Sequence, residues 1–241
     1  MEQAIDRHPG EDHTGIGSAN NLRAAVLGAN DGLVSVLSLV MGVAGGGLSG
    51  ENIFISGIAG LLAGACSMAM GEWLSVTSAR ELFKVQIAEE RYELREYPEY
   101  ERQEMIDIFV GKGIPADVAT SAAESVLSNP EKALETMARE ELGINPDELG
   151  GSPYQAAAAS FALFIVGALP PVLPFAFLER EAAIWTSLAL SAVMLFLIGG
   201  AVTRLTKRSV IFSGSRQLAI GLAAAGVTYA IGLLLDTAIA G

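Results

Sequence analysis

An acidic residue lies within an apolar stretch near the start of the chain. Asp31 belongs to the run GANDGL at residues 28–33, about two turns into a segment long enough to cross a bilayer. An ionisable group at that depth costs about 2.5–3.5 kcal/mol on insertion scales, so it normally faces a polar interior and serves a function. The structural alternative places Asp31 at the headgroup level, capping the helix or pairing with Arg23. The flanking Gly28 and Gly32 favour function, because small residues let another helix or a hydrated ion come close.

A thioether and a carboxylate share one face of the next apolar segment. Met68 and Glu72 are four residues apart, and Ser75 continues the same face. Borderline divalent metals such as Fe²⁺ accept both soft thioether and hard carboxylate ligands. Methionine alone is usually a packing residue, but packing does not explain an acid near the end of a span. Cys66 lies one residue off this face and is interpreted as a packing residue.

Paired metal-ligating residues recur in the charged middle of the chain. Each pair is three or four residues apart and therefore projects from one side of a helix: Glu90 with Glu93, Glu101 with Glu104, and Met137 with Glu141. Like-charged neighbours destabilise a helix slightly, so a bound cation would relieve repulsion. Carboxylates inside helical bundles are known metal ligands. A solvated acidic surface is the alternative interpretation.

Composition places these residues in a membrane protein. The chain has 241 residues and a net charge of −12, yet only 17% of its residues are charged and 51% are hydrophobic. Soluble domains carry about 25% charged residues. The apolar content excludes disorder, the single cysteine excludes a disulfide scaffold, and the net negative charge argues against nucleic acid as a partner. We see no phosphate-binding loop and no His-based catalytic pair, since His8 and His13 lie in a polar tail, so we expect no enzyme and no prosthetic group.

The apolar residues fall into five stretches, each long enough for a membrane helix of about 20 residues. With no strand-like alternation, the predicted fold is an all-α membrane protein with five transmembrane helices and an acidic helical insert between the second and the third. The predicted spans are Ala24–Gly46, Ile53–Ser75, Tyr154–Leu178, Ala182–Val202 and Leu218–Ala240. The predicted organisation is a tail at 1–23, helices 1–2 at 24–80, the insert at 81–153 and helices 3–5 at 154–241.

The insert carries most of the net charge, because residues 81–152 hold 17 acidic and seven basic residues. Proline positions predict helices near 80–97, 99–112, 116–128 and 130–142, with Asn129 as an N-cap. No breaker separates the second span from the first of these, so one long helix is expected. Basic clusters follow span two and separate spans four and five, which places the N-terminus and the insert in the cytoplasm.

Together these motifs resemble the vacuolar iron transporter family over nearly the whole chain. The resemblance rests on GANDGL in span one, GACSMAMGE at 64–72, EELG at 140–143 and ALPPVLP at 168–174. It implies a homodimer that exports Fe²⁺, with Mn²⁺ and related metals as possible cargo, from the cytosol in exchange for protons. Asp31 and Met68 would be the transport ligands. The cytoplasmic metal ligands would be Glu90, Glu93, Glu101, Glu104, Met137 and Glu141.

Two positions depart from the family pattern. Ala24 and Gly60 stand where the family has acids that would help carry protons. We therefore expect Glu72 to take over part of that role. A proton gradient directed inward would protonate Asp31 and displace the metal outward, and the prolines of span three would supply a rigid kink.

Two rival interpretations remain at this point. One is a transporter of the same architecture whose main cargo is Mn²⁺, Co²⁺ or Zn²⁺, although oxygen and thioether ligands argue mildly against Zn²⁺. The other is a membrane-anchored metal buffer or sensor without transport. The expected location is the inner membrane of a bacterium, because the tail is short and carries no eukaryotic sorting motif.

Overall fold

The computed structural model describes residues 15–144, 151–201, 203 and 208–240, and within these ranges the chain forms helices and no strand. This confirms the all-α prediction. The helices are α1 (Gly15–Gly45), α2 (Gly50–Glu96), α3 (Pro98–Gly111), α4 (Ala116–Leu127), α5 (Pro130–Glu140), α6 (Pro153–Val172), α7 (Pro174–Phe177), α8 (Arg180–Ala201) and α9 (Val210–Ala240).

Five of these helices, α1, α2, α6, α8 and α9, are long and apolar enough to cross a membrane, which confirms the predicted number. Helix α9 begins at Val210, eight residues before the predicted fifth span. Helix α2 runs without a break for 47 residues, as expected from the absence of a helix breaker. The predicted polar tail with His8 and His13, and the bases Arg204 and Lys207, lie outside the described residues.

The chain divides into two compact units, which are considered separately below. The first comprises Met1–Met70 and Ala157–Gly241 and contains most of the membrane-spanning sequence. The second comprises Gly71–Ala156 and contains the acidic helices.

Glycines bring the helices of the first unit into backbone contact. A Cβ built on Gly32 would lie 2.2 Å from the carbonyl oxygen of Phe164, and one on Gly167 would lie 1.9 Å from that of Ala29. Helices α1 and α6 therefore meet backbone to backbone on either side of Asp31. This confirms the expectation that the glycines around Asp31 admit a neighbouring helix.

Prolines end α6 inside the predicted third span. Pro170 and Pro171 lie in its last turn, and Pro174 starts the short α7. Proline has no backbone N–H, so Pro174 cannot donate to the carbonyl oxygen four residues before it, and the regular helical hydrogen bonding is interrupted in this turn. The buried hydroxyl of Ser187 on α8 donates to the carbonyl oxygen of Pro171 at 2.8 Å. The predicted kink is thus a helix break, stabilised from the neighbouring helix.

The second unit is a small helical bundle, and proline or asparagine residues mark the starts of its short helices. Pro98 and Pro130 occupy the first turns of α3 and α5, and the Asn129 side chain accepts hydrogen bonds from the backbone of Glu131 and Lys132. This confirms the predicted N-cap, whereas Pro115 precedes α4 as its N-cap residue. The apolar core of this bundle consists of Met105, Ile106, Ala119, Ala123 and Met137.

Candidate metal centres

The first unit contains a small cavity that opens beside Asp31. Its volume is about 230 Å³, and its wall carries one carboxylate, one thioether and two hydroxyl groups. The lining residues are Asp31, Ser35, Val36 and Leu39 of α1, Gly60, Gly64, Ser67 and Met68 of α2, and Phe164 of α6. The structure therefore brings the predicted pair Asp31 and Met68 to the same cavity.

Helix geometry explains how Asp31 and its neighbours reach this cavity. Ser35 lies four residues after Asp31, hence on the same face, and its hydroxyl donates to Asp31 Oδ1 at 3.4 Å. Asp31 is exposed in the isolated chain, but it faces this polar cavity and not a wholly apolar surface. Ser35 lies four residues after Asp31 and Ser67 precedes Met68, and these spacings alone would have predicted that both hydroxyl groups line the cavity.

Gly60, one of the two positions where the resemblance implies an acid, lies in the cavity wall. A Cβ at this position would lie 2.2 Å from Cδ2 of Leu39. A larger residue at this position would therefore require the end of the Leu39 side chain to move. The departure at Gly60 leaves Asp31 as the one carboxylate among the lining residues.

Two other residues singled out in the second apolar segment, Cys66 and Glu72, are not among the residues that line this cavity. Cys66 is exposed, so the interpretation of this residue as a packing residue is wrong for the isolated chain. Glu72 belongs to the second unit and is also exposed. The expectation that Glu72 contributes to metal or proton handling stays a prediction.

The second unit brings three glutamates together. One carboxylate oxygen from each of Glu90, Glu101 and Glu141 lies within 4.8 Å of the other two. Glu90 comes from α2 and Glu101 from α3, and each is only 2% exposed. Glu141 caps the C-terminal end of α5 and is exposed. The three helices thus converge on one acidic cluster, which we call the glutamate cluster.

The glutamate cluster has a high electrostatic energy when its members are ionised. Burial, followed by repulsion from Glu141 and Glu101, raises the pKa of Glu90 to about 8. Burial, followed by repulsion from Glu104 and other acids, raises the pKa of Glu101 to about 7. Because desolvation and like charges both disfavour the carboxylate form, a proton or a metal cation stabilises this cluster.

The neighbouring acids and bases also indicate that the glutamate cluster is stabilised by a proton or a metal cation. Glu93 contributes to the raised pKa values of Glu90 and Glu101, and Glu104 has a raised pKa of its own through burial and repulsion from Glu141. In the described part of the chain, the side-chain atoms Glu90 Oε1 and Glu101 Oε2 are buried without a hydrogen-bond partner. The ion pairs there join other glutamates to bases: Arg102 with Glu124, Lys112 with Glu140 and Arg139 with Glu135.

Met137 is placed differently from the acids with which it was grouped. Its side chain is fully buried in the apolar core, with Met105 and two alanines. Its carbonyl oxygen accepts a hydrogen bond from the backbone of Glu141 at 2.9 Å. Met137 therefore packs the bundle and supports the residue that completes the glutamate cluster, and its role as a thioether ligand stays a prediction.

Comparison with known proteins identifies relatives of this chain. The profile of the VIT family matches residues 22–233. The chain belongs to the VIT family. Both the Asp31 cavity and the glutamate cluster lie within the matched residues, and the resemblance inferred from the four sequence motifs is confirmed.

Individual VIT family relatives align along most of their length. A protein named vacuolar iron transporter from Acanthamoeba castellanii is 34% identical over 236 residues, which cover 97% of this chain and 85% of the relative. Vacuolar iron transporter homolog 1 of Arabidopsis thaliana is 36% identical over 220 residues, covering 90% and 84%. Vacuolar iron transporter homolog 5 of Oryza sativa is 36% identical over 214 residues, covering 88% and 79%.

Proposed function

We propose that this VIT family protein exports Fe²⁺ from the cytosol across a membrane in exchange for protons. The observation that carries the proposal is the cavity in which Asp31 and Met68 meet between membrane helices. A carboxylate inside a membrane helix is costly and marks an ion pathway. The names of the relatives, which describe vacuolar iron transporters, support iron as the cargo.

The donor set favours a borderline divalent metal. Asp31 supplies a hard oxygen and Met68 a soft sulfur, and Ser35 and Ser67 supply neutral oxygens in the same cavity. Fe²⁺ accepts such a mixture, whereas preferred zinc sites use histidine and cysteine. Mn²⁺ is a second cargo that this ligand set fits.

Proton coupling follows from competition for one carboxylate. A carboxylate must be deprotonated to ligate a metal, so a proton and a metal cation exclude each other at Asp31. An inward proton gradient would protonate Asp31 from the far side and release the metal there. The glutamate cluster would act earlier, by capturing cations from the cytosol and raising their local concentration around its carboxylates.

The proposal includes a homodimer and an orientation. Asp31, Ser35 and Ser67 are exposed in the isolated chain, and lipid would be an unfavourable neighbour for a carboxylate. A second copy covering this face would enclose the cavity in protein. The excess of bases after span two and between spans four and five supports a cytoplasmic insert and N-terminus. The inner membrane of a bacterium stays the predicted location.

A membrane-anchored metal buffer is the second candidate function, favoured by the buried glutamate cluster. Anaerobic Fe²⁺ uptake into proteoliposomes with an acidic interior separates the two. Export requires uptake that collapses when the proton gradient is removed and that is abolished in Asp31→Ala. A buffer would bind Fe²⁺ at the vesicle surface without accumulation inside, and the binding would survive Asp31→Ala. Uptake that ignores both the gradient and the substitution would refute proton-coupled export.

A further inference from the structure

An amide pair joins two helices immediately beside the transport carboxylate. The side-chain amide of Gln217 on α9 donates a hydrogen bond to Asn30 Oδ1 on α1. Both side chains are partly buried, and both lie in the first unit. Among the described residues of that unit, this is the one hydrogen bond between side chains of different helices.

Successive residues of α1 face three different neighbours. Because an α-helix has 3.6 residues per turn, adjacent side chains point about 100° apart. Asn30 contacts Gln217 of α9, Asp31 faces the cavity lined by Met68 of α2, and Gly32 contacts the backbone of α6. The direction of Asp31 therefore depends on the rotation of α1 about its own axis.

The glycine contacts hold α1 close to its neighbours, and buried side chains such as Leu33 and Leu37 restrict its rotation by packing, without a directional bond. A glycine has no side chain that could interlock with the facing helix, so Gly32 against α6 and Gly45 against Tyr229 fix distance and not angle. A hydrogen bond between two side chains is directional. The Asn30–Gln217 bond therefore adds a directional contact to this packing, and it does so at the residue next to Asp31.

We propose that Gln217 is a positioning residue for metal binding, which holds α1 at the rotation that turns Asp31 toward Met68. This inference rests on the proposed function, since it assigns Gln217 a role in the same cavity. Gln217 contacts neither the cavity nor Asp31 directly and acts through Asn30. Hydrogen bonds between membrane helices correspond to about a three- to twentyfold change in an equilibrium constant, which sets the size of the expected effect.

The test is Fe²⁺ uptake by proteoliposomes containing the purified full-length protein. Gln217→Met keeps the size and shape of the side chain and removes the bond. We expect its KM for Fe²⁺ to rise about three- to twentyfold, with Vmax per folded protein within twofold of the parent. The exchanged pair N30Q with Q217N retains the combined reach of the two amides and should return KM to near the parent value.

Thr228→Val is the matched control. Thr228 lies on α9 against Gly42 of α1, but its hydroxyl bonds to carbonyl oxygens within α9. The KM of Thr228→Val for Fe²⁺ should therefore equal that of the parent.

An unchanged KM in Gln217→Met overturns the inference, as does a lower Vmax and melting temperature at constant KM. Asp31→Ala is measured in parallel. If Asp31→Ala abolishes uptake and Gln217→Met matches the parent, the inference fails and the proposed function stands; if Asp31→Ala transports normally, the proposed function itself fails.

Discussion

Replacement of Gly167 by alanine should disable transport, because the backbone contact between α1 and α6 leaves no room for a methyl group. The added Cβ would lie 1.9 Å from the carbonyl oxygen of Ala29 and 2.7 Å from its carbonyl carbon. Non-bonded carbon and oxygen atoms need more than 3 Å, so one helix must retreat by about 1.1 Å or more. The atom that obstructs the methyl group is backbone, so no rotamer change can relieve the clash.

The displacement acts two residues from Asp31. Overpacking of this kind costs about 1–3 kcal/mol in stability, and a misplacement of about 1 Å at a reacting group can reduce a rate about a hundredfold. We expect Gly167→Ala to lower Fe²⁺ uptake at least about tenfold in proteoliposomes while the protein still purifies as a folded species. Thermal unfolding in detergent measures the stability part separately.

Gly226→Ala is the matched control for this substitution. Gly226 also lies in a membrane helix, but a Cβ there would meet no atom within 4 Å. Its uptake and melting temperature should equal those of the parent. If Gly167→Ala behaves like Gly226→Ala, the close approach of α1 and α6 is not what positions Asp31, and the reasoning is wrong.

Three further predictions concern the glutamate cluster and the helix break. In metal-free protein, the raised pKa values mean that the folded state binds more protons than the unfolded state between pH 4.5 and about 8. Stability of the second unit should therefore fall as pH rises through this window, measured by hydrogen exchange in α3 and α5. Replacing both Glu90 and Glu101 by glutamine should weaken Mn²⁺ binding at least tenfold in isothermal titration, whereas Glu124→Gln should not. Ser187→Ala should destabilise the protein by about 1 kcal/mol in thermal unfolding, because the Pro171 carbonyl loses its donor.

Each of these three predictions would be contradicted by a specific result. Stability that rises with pH would mean that Glu90 and Glu101 are ionised without penalty in the folded protein. Equal Mn²⁺ affinity in the glutamine variants and in Glu124→Gln would assign metal binding to the general acidity of the surface. An unchanged melting temperature in Ser187→Ala would mean that water or another group satisfies the Pro171 carbonyl.

The sequence predicted the number of membrane helices because this number depends on a local pattern. Apolar length alone marks a membrane helix, and a spacing of three or four residues places Glu90 and Glu93 on one side of α2. The spacing cannot show that Glu141, at the end of α5, completes a cluster with Glu90 and Glu101, since this depends on how three helices pack.

Spacing along one helix is equally uninformative for residues whose contacts are made by another helix. Met137 was grouped with the acids by its spacing from Glu141, but the bundle turns its side chain into the apolar core. Gln217 gave no signal in the sequence because its partner Asn30 lies on the first helix, 187 residues away. Long-range contacts of this kind are fixed by tertiary packing, which a pattern along one helix does not encode.

Arg180 gives the fold a consequence for how the chain enters its membrane. In the orientation proposed above, it would be the one base in the short loops on the outer face, where an arginine would weaken the charge signal that orients nascent helices. Its guanidinium donates to the carbonyl oxygens of Ala44 and Leu48, at 2.8 and 2.9 Å, and so closes the end of α1. Because α8 is synthesised long after α1, this closure is completed only when the fourth span has been inserted. Until then the first hairpin lacks both Arg180 hydrogen bonds, and the Ala44 carbonyl oxygen accepts from the backbone of Gly47 at 3.2 Å.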